Sequence, residues 1–197
     1  RRSSDLTDRG EGTITTEAAK LTTSGEGSPV IYSTGNIIVN NVNGIANNSE
    51  IGVVEGKNSI TLTNSNVTGY KDNGFMLYQS FSGDAESGIA RLKAAADSRW
   101  GKTGENGGHL TLRASNQELR GNIMADSIST IALDMTNGSS LVGAVNTDNT
   151  AKEVTVKLSK DSSWTLTGDS YVESLTNEDT TGENIHLNGY KLVVADK

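Results

Sequence analysis

The chain has 197 residues, a single proline, 22 glycines and no cysteine, and its formal net charge is −7. The lack of cysteine excludes a disulfide framework and a thiolate zinc site, and the acidic balance disfavours nucleic acid and anionic membrane surfaces as partners. With 34% hydrophobic and 5% aromatic residues, apolar mass is short for a conventional three-layer core. It is enough for a fold whose successive units each bury a few side chains.

No run is apolar enough to span a membrane, and Arg1 to Asp5 lack the apolar centre of a signal peptide. That start reads as the edge of a larger protein. Residues 1–24 form a polar, ragged beginning, with a short strand around Ile14 (Gly10 to Thr16) and another from Leu21 to Ser24.

A period then sets in. Val30-Ile31-Tyr32, Val53-Val54-Glu55 and Met76-Leu77-Tyr78 follow one another at 23-residue intervals, as do Ile37 and Ile60, and Val39 and Leu62. A period of this size, built from short alternating strands and turn residues, predicts a solenoid. Asn36 to Asn40 and Ser59 to Thr63 alternate with one face buried. Asn41 and Asn64 take equivalent places after them, where stacked amides can bond along the ladder. Val42 and Val67 point inward, and Gly44 and Gly69 are read as turns.

Parity along the triplets sets Ile31, Val54 and Leu77 inward. A buried unpaired carboxylate is costly, so Glu55 faces out. Tyr32, Glu55 and Tyr78 then form an external ladder, at about 4.8 Å per rung.

The pattern breaks between residues 83 and 108. Ile89 to Ala96 has helix-forming composition, and Ser98 to Gly108 is a long loop of the kind that carries function or protects an edge. The period resumes with Leu110, Ile131 and Val154, with a second row of Leu119, Leu141 and Trp164 and a third containing Ile123 and Val145. Trp164 is expected to cap the aliphatics of its row. Asn188-Gly189 fits a hairpin or a corner between two faces, and the corner is the preferred reading.

Several segments together resemble bacterial right-handed β-helix proteins of the carbohydrate-binding kind, typified by cellulose- and pectin-binding surface proteins. They are Gly27 to Thr34, Val54 to Ser59, Phe75 to Ser80, Arg99-Trp100-Gly101 with Asn106-Gly107-Gly108, and Ser163 to Ser170. The last is also similar to coils of autotransporter passengers. The resemblance covers most of residues 25–195 and implies an extracellular or cell-surface β-helix that binds polysaccharide, with calcium as an optional structural or bridging ion. It departs from the pattern between Gly83 and Ser98, where similar proteins carry a further full coil. Either a coil is deleted there, or residues are missing near Gly88–Ala90. The counterpart of Arg91–Ala94 is a strand, and strand replaces helix as the expectation.

The fold expected is therefore all-β: a right-handed, single-stranded parallel β-helix of about seven coils with 22–23 residues each, in one domain. His109 and His186 lie beside no recognisable nucleophile, and Arg91, Lys93 and Arg99 lie near only one carboxylate, Asp97. No aspartates stack in the 23-residue register as a glycosidase would need, so no catalytic function is expected and no cofactor is required. Asp72-Asn73-Gly74, Asp84 with Glu86, and Asp148-Asn149 are oxygen-rich turns that fit no spaced calcium loop. The expected function is a non-catalytic surface module holding polysaccharide. Tyr32 and Tyr78 stack on sugar rings, Glu55 and Gln79 bond hydroxyls, and Trp100 reaches the same face. The alternative is a structural or adhesive stalk making end-to-end or edge contacts with other chains.

Overall fold

The computed structural model describes residues 12–25, 28–33, 35–54, 57–69, 77–79 and 108–195. In chain order the strands are β1 (Thr13–Glu17), β2 (Lys20–Thr23), β3 (Ile31–Ser33), β4 (Asn36–Asn40), β5 (Asn43–Ala46), β6 (Gly52–Val54), β7 (Lys57–Thr63), β8 (Asn66–Thr68), β9 (Leu77–Gln79) and β10 (His109–Ser115). The series continues with β11 (Glu118–Arg120), β12 (Ile123–Ala125), β13 (Thr130–Thr136), β14 (Ser140–Val142), β15 (Glu153–Leu158), β16 (Ser163–Thr165), β17 (Ser170–Val172), β18 (Ser174–Asn177), β19 (Ile185–His186) and β20 (Leu192–Val194). Every described pairing is parallel and joins one coil to the next, so the chain is a parallel β-solenoid. Its long face stacks seven strands, β1-β4-β7-β10-β13-β15-β18, and spans about six turns.

Alternation in the sequence dictates this face. In β10, β13 and β15, every second residue is apolar and buried, while the intervening positions, all polar or charged except Ala132, are half-buried or exposed. Strand period and register then stack like on like. Ile14, Ile37, Ile60, Leu112, Leu133, Val156 and Leu175 form one continuous inward row. Each fully buried aliphatic of such a row contributes about 1.5–3 kcal/mol. The polar start belongs to the stack, because β1 pairs with β4 from Thr13 to Glu17.

The second face consists of two separate sheets, β2-β5-β8 and β11-β14-β16-β19. The third carries β3-β6-β9-β12, and later β17-β20. Leu119, Leu141 and Trp164 stack as expected, but Trp164 does not end the row, since Ile185 follows it in register. Ile123 and Val145 form a single parallel bridge. Asn188 and Gly189, both at positive φ, make a corner: β19 pairs with β16, and β20 pairs with β17.

Asparagine marks the corner after the long face. Asn41, Asn64, Asn116 and Asn137 all sit at φ between 46° and 53°, the left-handed region that asparagine tolerates better than most residues. The Asn64 Nδ2 donates to Asn41 Oδ1 at 2.7 Å, and Asn41 Nδ2 donates to Glu17 Oε1 at 2.6 Å. Gly44 is not a turn residue. It lies buried within β5, where an added Cβ would stand 3.0 Å from a Val30 methyl carbon, so a side chain there would compete with Val30 for space.

The break in period has a simple topological origin. On the long face β7 pairs directly with β10, Lys57 opposite His109 and Thr63 opposite Ser115, a jump of 52 residues where neighbouring jumps are 21–23. β9 stacks on β6 and under β12 in the third face. Residues 80–108 therefore enter between β9 and β10. The equivalent corner of the two preceding coils takes only residues 34–35 and 55–56. The expected strand at Arg91–Ala94 lies outside the described residues.

Candidate functional site

The row nominated on the third face has a different composition from the expected one. Tyr32 stands opposite Val53, and Val53 opposite Tyr78, which in turn faces Met124. The rung between the tyrosines is thus Val53, not Glu55. Glu55 and Trp100 lie outside the described residues. The jumps are 21 residues from Tyr32 to Val53 and 25 from Val53 to Tyr78, in place of two equal steps of 23. A slip of two preserves parity, so Ile31 and Val54 still face inward, as expected. The slip also carries Ile51 to the place beside Val30 and buries it completely, with Ile31 N–H donating to Ile51 O at 2.8 Å.

Tyr32 is half-buried. Val53 is 0% exposed yet stands apart from the main core cluster. Gln79 takes the register position of Ser33, Val54 and Ala125, one residue along the strand from Tyr78.

A second feature was not anticipated. The two sheets of the second face fail to join: β8 ends one, β11 begins the next, and no ladder connects them. At the closed end of this opening Gln117, 2% exposed, replaces the missing main chain with its carboxamide. Its Oε1 accepts from Ser65 N–H at 2.9 Å, and its Nε2 donates to Ser65 O at 2.6 Å and to Glu118 O at 2.7 Å. Buried serines continue the spine. Ser65 Oγ accepts from Val42 N–H at 3.1 Å, and Ser139 Oγ accepts from Gln117 N–H at 3.1 Å. Most buried polar groups in protein cores are paired in this way.

The opening is a cleft of about 420 Å³ lined by Asn64, Ser65, Asn66, Asn116, Gln117, Glu118, Gly138 and Ser140. Asn64, Asn66, Asn116 and Glu118 are exposed, and Glu118 pairs with Arg120. The corner ladder of amides also stops here, since no side-chain bond joins Asn64 to Asn116. The only signal in the sequence was the 52-residue spacing of Leu62 and Ala114, which are register partners.

Of the histidines, His186 is exposed. His109 sits at the edge of the long face between Lys57 and Thr130, with Nδ1 3.0 Å from Thr130 Oγ1. Burial, then the charges of Lys152 and Lys57, lower its pKa below the ordinary 6.5, against an opposing pull from Asp126. The unfolded chain therefore binds the proton more readily. Folding stability is complete above pH 6.5 and declines as pH falls from there through the lower folded value. Urea midpoints at pH 7.5 and 5 should show this decline, and His109→Asn should flatten it; an unchanged slope would remove His109 as its source. Asp161 and Asp179, held low chiefly by the Ser159 and Thr181 hydroxyls, act only in the separate window below 3.8.

Among the described residues no three of His, Asp and Glu converge as metal ligands. Asp148 is exposed, while Asp72, Asp84 and Glu86 lie outside the described residues. No helix among the described residues is long and apolar enough to cross a membrane. No family model, curated protein or solved structure matches the chain.

Proposed function

We propose that the chain is a non-catalytic module of an extracellular or cell-surface protein that holds polysaccharide on a face of its solenoid, in the manner of the carbohydrate-binding β-helix proteins its segments resemble. The observation that carries this reading is the outward side of the long face. There Thr13, Asn36, Ser59 and Thr111 form one stacked row, and Glu17, Asn40, Thr63, Ser115 and Thr136 another. Repeated hydroxyls and amides at one rung spacing make an extended hydrogen-bonding surface suited to a polymer rather than a small molecule. The third-face row contributes less than its sequence suggested, because its middle rung is the buried Val53. Calcium, if a polyanionic chain is bound, would enter as a bridging ion.

Pull-down on insoluble neutral polysaccharides and a glycan array, each with and without calcium, test the reading. Retention of at least one polysaccharide is expected. Ala replacements at Tyr32, Tyr78 and Trp100 then ask whether the nominated row takes part, and unchanged retention in the triple variant would remove it. The stalk reading keeps one specific support: Leu187, Tyr190, Val193 and Val194, four of the five large apolar residues most exposed among those described, all lie in the last coil. Failure to retain any glycan, together with concentration-dependent association, would favour it.

A further inference from the structure

The geometry points to the opening between β8 and β11 as a binding cleft for a neutral, polyhydroxylated ligand, a short stretch of glycan chain. The inference rests on the polysaccharide reading and adds to the long face a second, local site that neither the period nor the resemblance supplied.

Three observations converge. First, at this level of the solenoid the second face is interrupted while the strands before and after β8 and β11, on the long and third faces, remain paired. The main-chain groups along the facing edges of β8 and β11 thus have no ladder with each other. Second, the cleft is held open by a fixed device. The Gln117 carboxamide clamps both main-chain groups of Ser65, and Ser139 holds Gln117 N–H. A site that is organised before binding avoids the ordering cost of forming one. Third, the lining selects a chemistry. Asn64, Asn66, Asn116 and Ser140 each offer both donors and acceptors, which matches sugar hydroxyls.

Other ligand classes fit less well. Among the described residues the lining's one charge, the Glu118 carboxylate, is paired with Arg120, so no free cation is offered to a phosphate or sulfate. A lipid would need an apolar floor, but Val67 and Leu119 are 7% and 0% exposed beneath the cleft. Those same values oppose insertion of a peptide strand. An extra strand would require the edges to stand about 9.6 Å apart, two rung spacings, and the core below would then be open. With no aromatic side chain among the described residues of the lining, binding there rests on hydrogen bonds.

Isothermal titration of the whole chain with cellotetraose, xylotetraose and maltotetraose, and with tetragalacturonate and a polyalanine-based decapeptide as contrasting ligands, tests the cleft. The expected result is binding of a neutral tetrasaccharide, weakened at least tenfold by Asn66→Ala combined with Asn116→Gly; glycine keeps the positive φ of position 116. Should that variant lose its fold, hydrogen exchange on the unsubstituted protein serves instead, with slower exchange of Val67 and Arg120 N–H on adding the sugar as the expected result. Tetrasaccharide binding that the variant leaves unchanged, without protection of those two amides, would overturn the cleft and spare the polysaccharide reading. Preference for tetragalacturonate or the decapeptide would overturn the assigned ligand class. Absence of binding to any neutral sugar would overturn both.

Discussion

Trp164→Ala is expected to destabilise the chain by about 3–5 kcal/mol, the range for truncating a fully buried indole. Trp164 is 0% exposed, between Leu141 and Ile185 in the inward row of the second face. Its loss leaves a cavity that neighbours fixed by ladder bonds above and below cannot close. It also strips a partner from the core main chain, because the indole Nε1–H donates to Gly143 O at 2.9 Å. Trp164→Phe separates the two effects. It keeps most of the ring volume but leaves that carbonyl unpaired, for a loss of about 1–3 kcal/mol. Coils contact only their neighbours, so a two-state midpoint is not assured. Hydrogen exchange resolved by strand is therefore the better measurement alongside urea denaturation. Protection should fall in β14, β16 and β19 while β1 to β5 keep theirs. A urea midpoint for Trp164→Ala equal to that of the unsubstituted chain would show that the indole does not hold these coils.

The rows of the long and second faces could be read from sequence because two signals agree there. Ile37 with Ile60, Leu110 with Ile131 and Val154, and Leu119 with Leu141 and Trp164 obey both the alternation of a strand and the period of a coil. Each pair is found in register. Asn41 and Asn64 were legible for a related reason: few residues other than glycine accept the left-handed backbone at a corner repeated at fixed spacing.

The third face was harder because alternation constrains only parity. Shifting the Tyr32 strand by two residues against the Val53 strand leaves the same side chains inward, so the choice passed to the corners, which have different lengths. Burying Ile51 decided it. Gly44 misled in the opposite sense. Its conformational freedom suggested a turn, while its actual use is the room it leaves for Val30. The cleft was the least legible feature. Asn64, Asn66, Asn116 and Ser140 look like ordinary turn and edge residues, and Gln117 gives no hint in the sequence that its side chain stands in for a strand. Only the pairing of Thr63 with Ser115, across the 52-residue jump, brings them together.

Gly143→Ala tests how closely the coils approach, and its expected cost, about 3 kcal/mol or more, lies at or beyond the upper end of ordinary overpacking. A Cβ built on Gly143 would lie 1.8 Å from Gly121 O and 2.6 Å from Gly121 C. Both are main-chain atoms of the coil below, so no rotamer change relieves the clash. Gly121 cannot readily retreat, since its own N–H donates to Val142 O at 2.8 Å. Gly143 is pinned from the other side, by its N–H bond to Thr165 O at 3.0 Å and by the Trp164 indole on its carbonyl. Relief therefore requires breaking at least one bond of the corner. Gly138 supplies the control. It has φ of 71° and open space around the missing Cβ, so Gly138→Ala should cost only the left-handed penalty of about 1–2 kcal/mol, and Gly138→Asn still less. If Gly143→Ala proved no more costly than Gly138→Ala, close approach would be excluded as the reason for glycine there. Combining Gly143→Ala with Trp164→Phe sharpens the test. Because one crowds residue 143 against Gly121 and the other frees the carbonyl of the same residue, their effects should depart from additivity by more than about 0.5 kcal/mol, as expected if the indole bond and the tight corner form one unit.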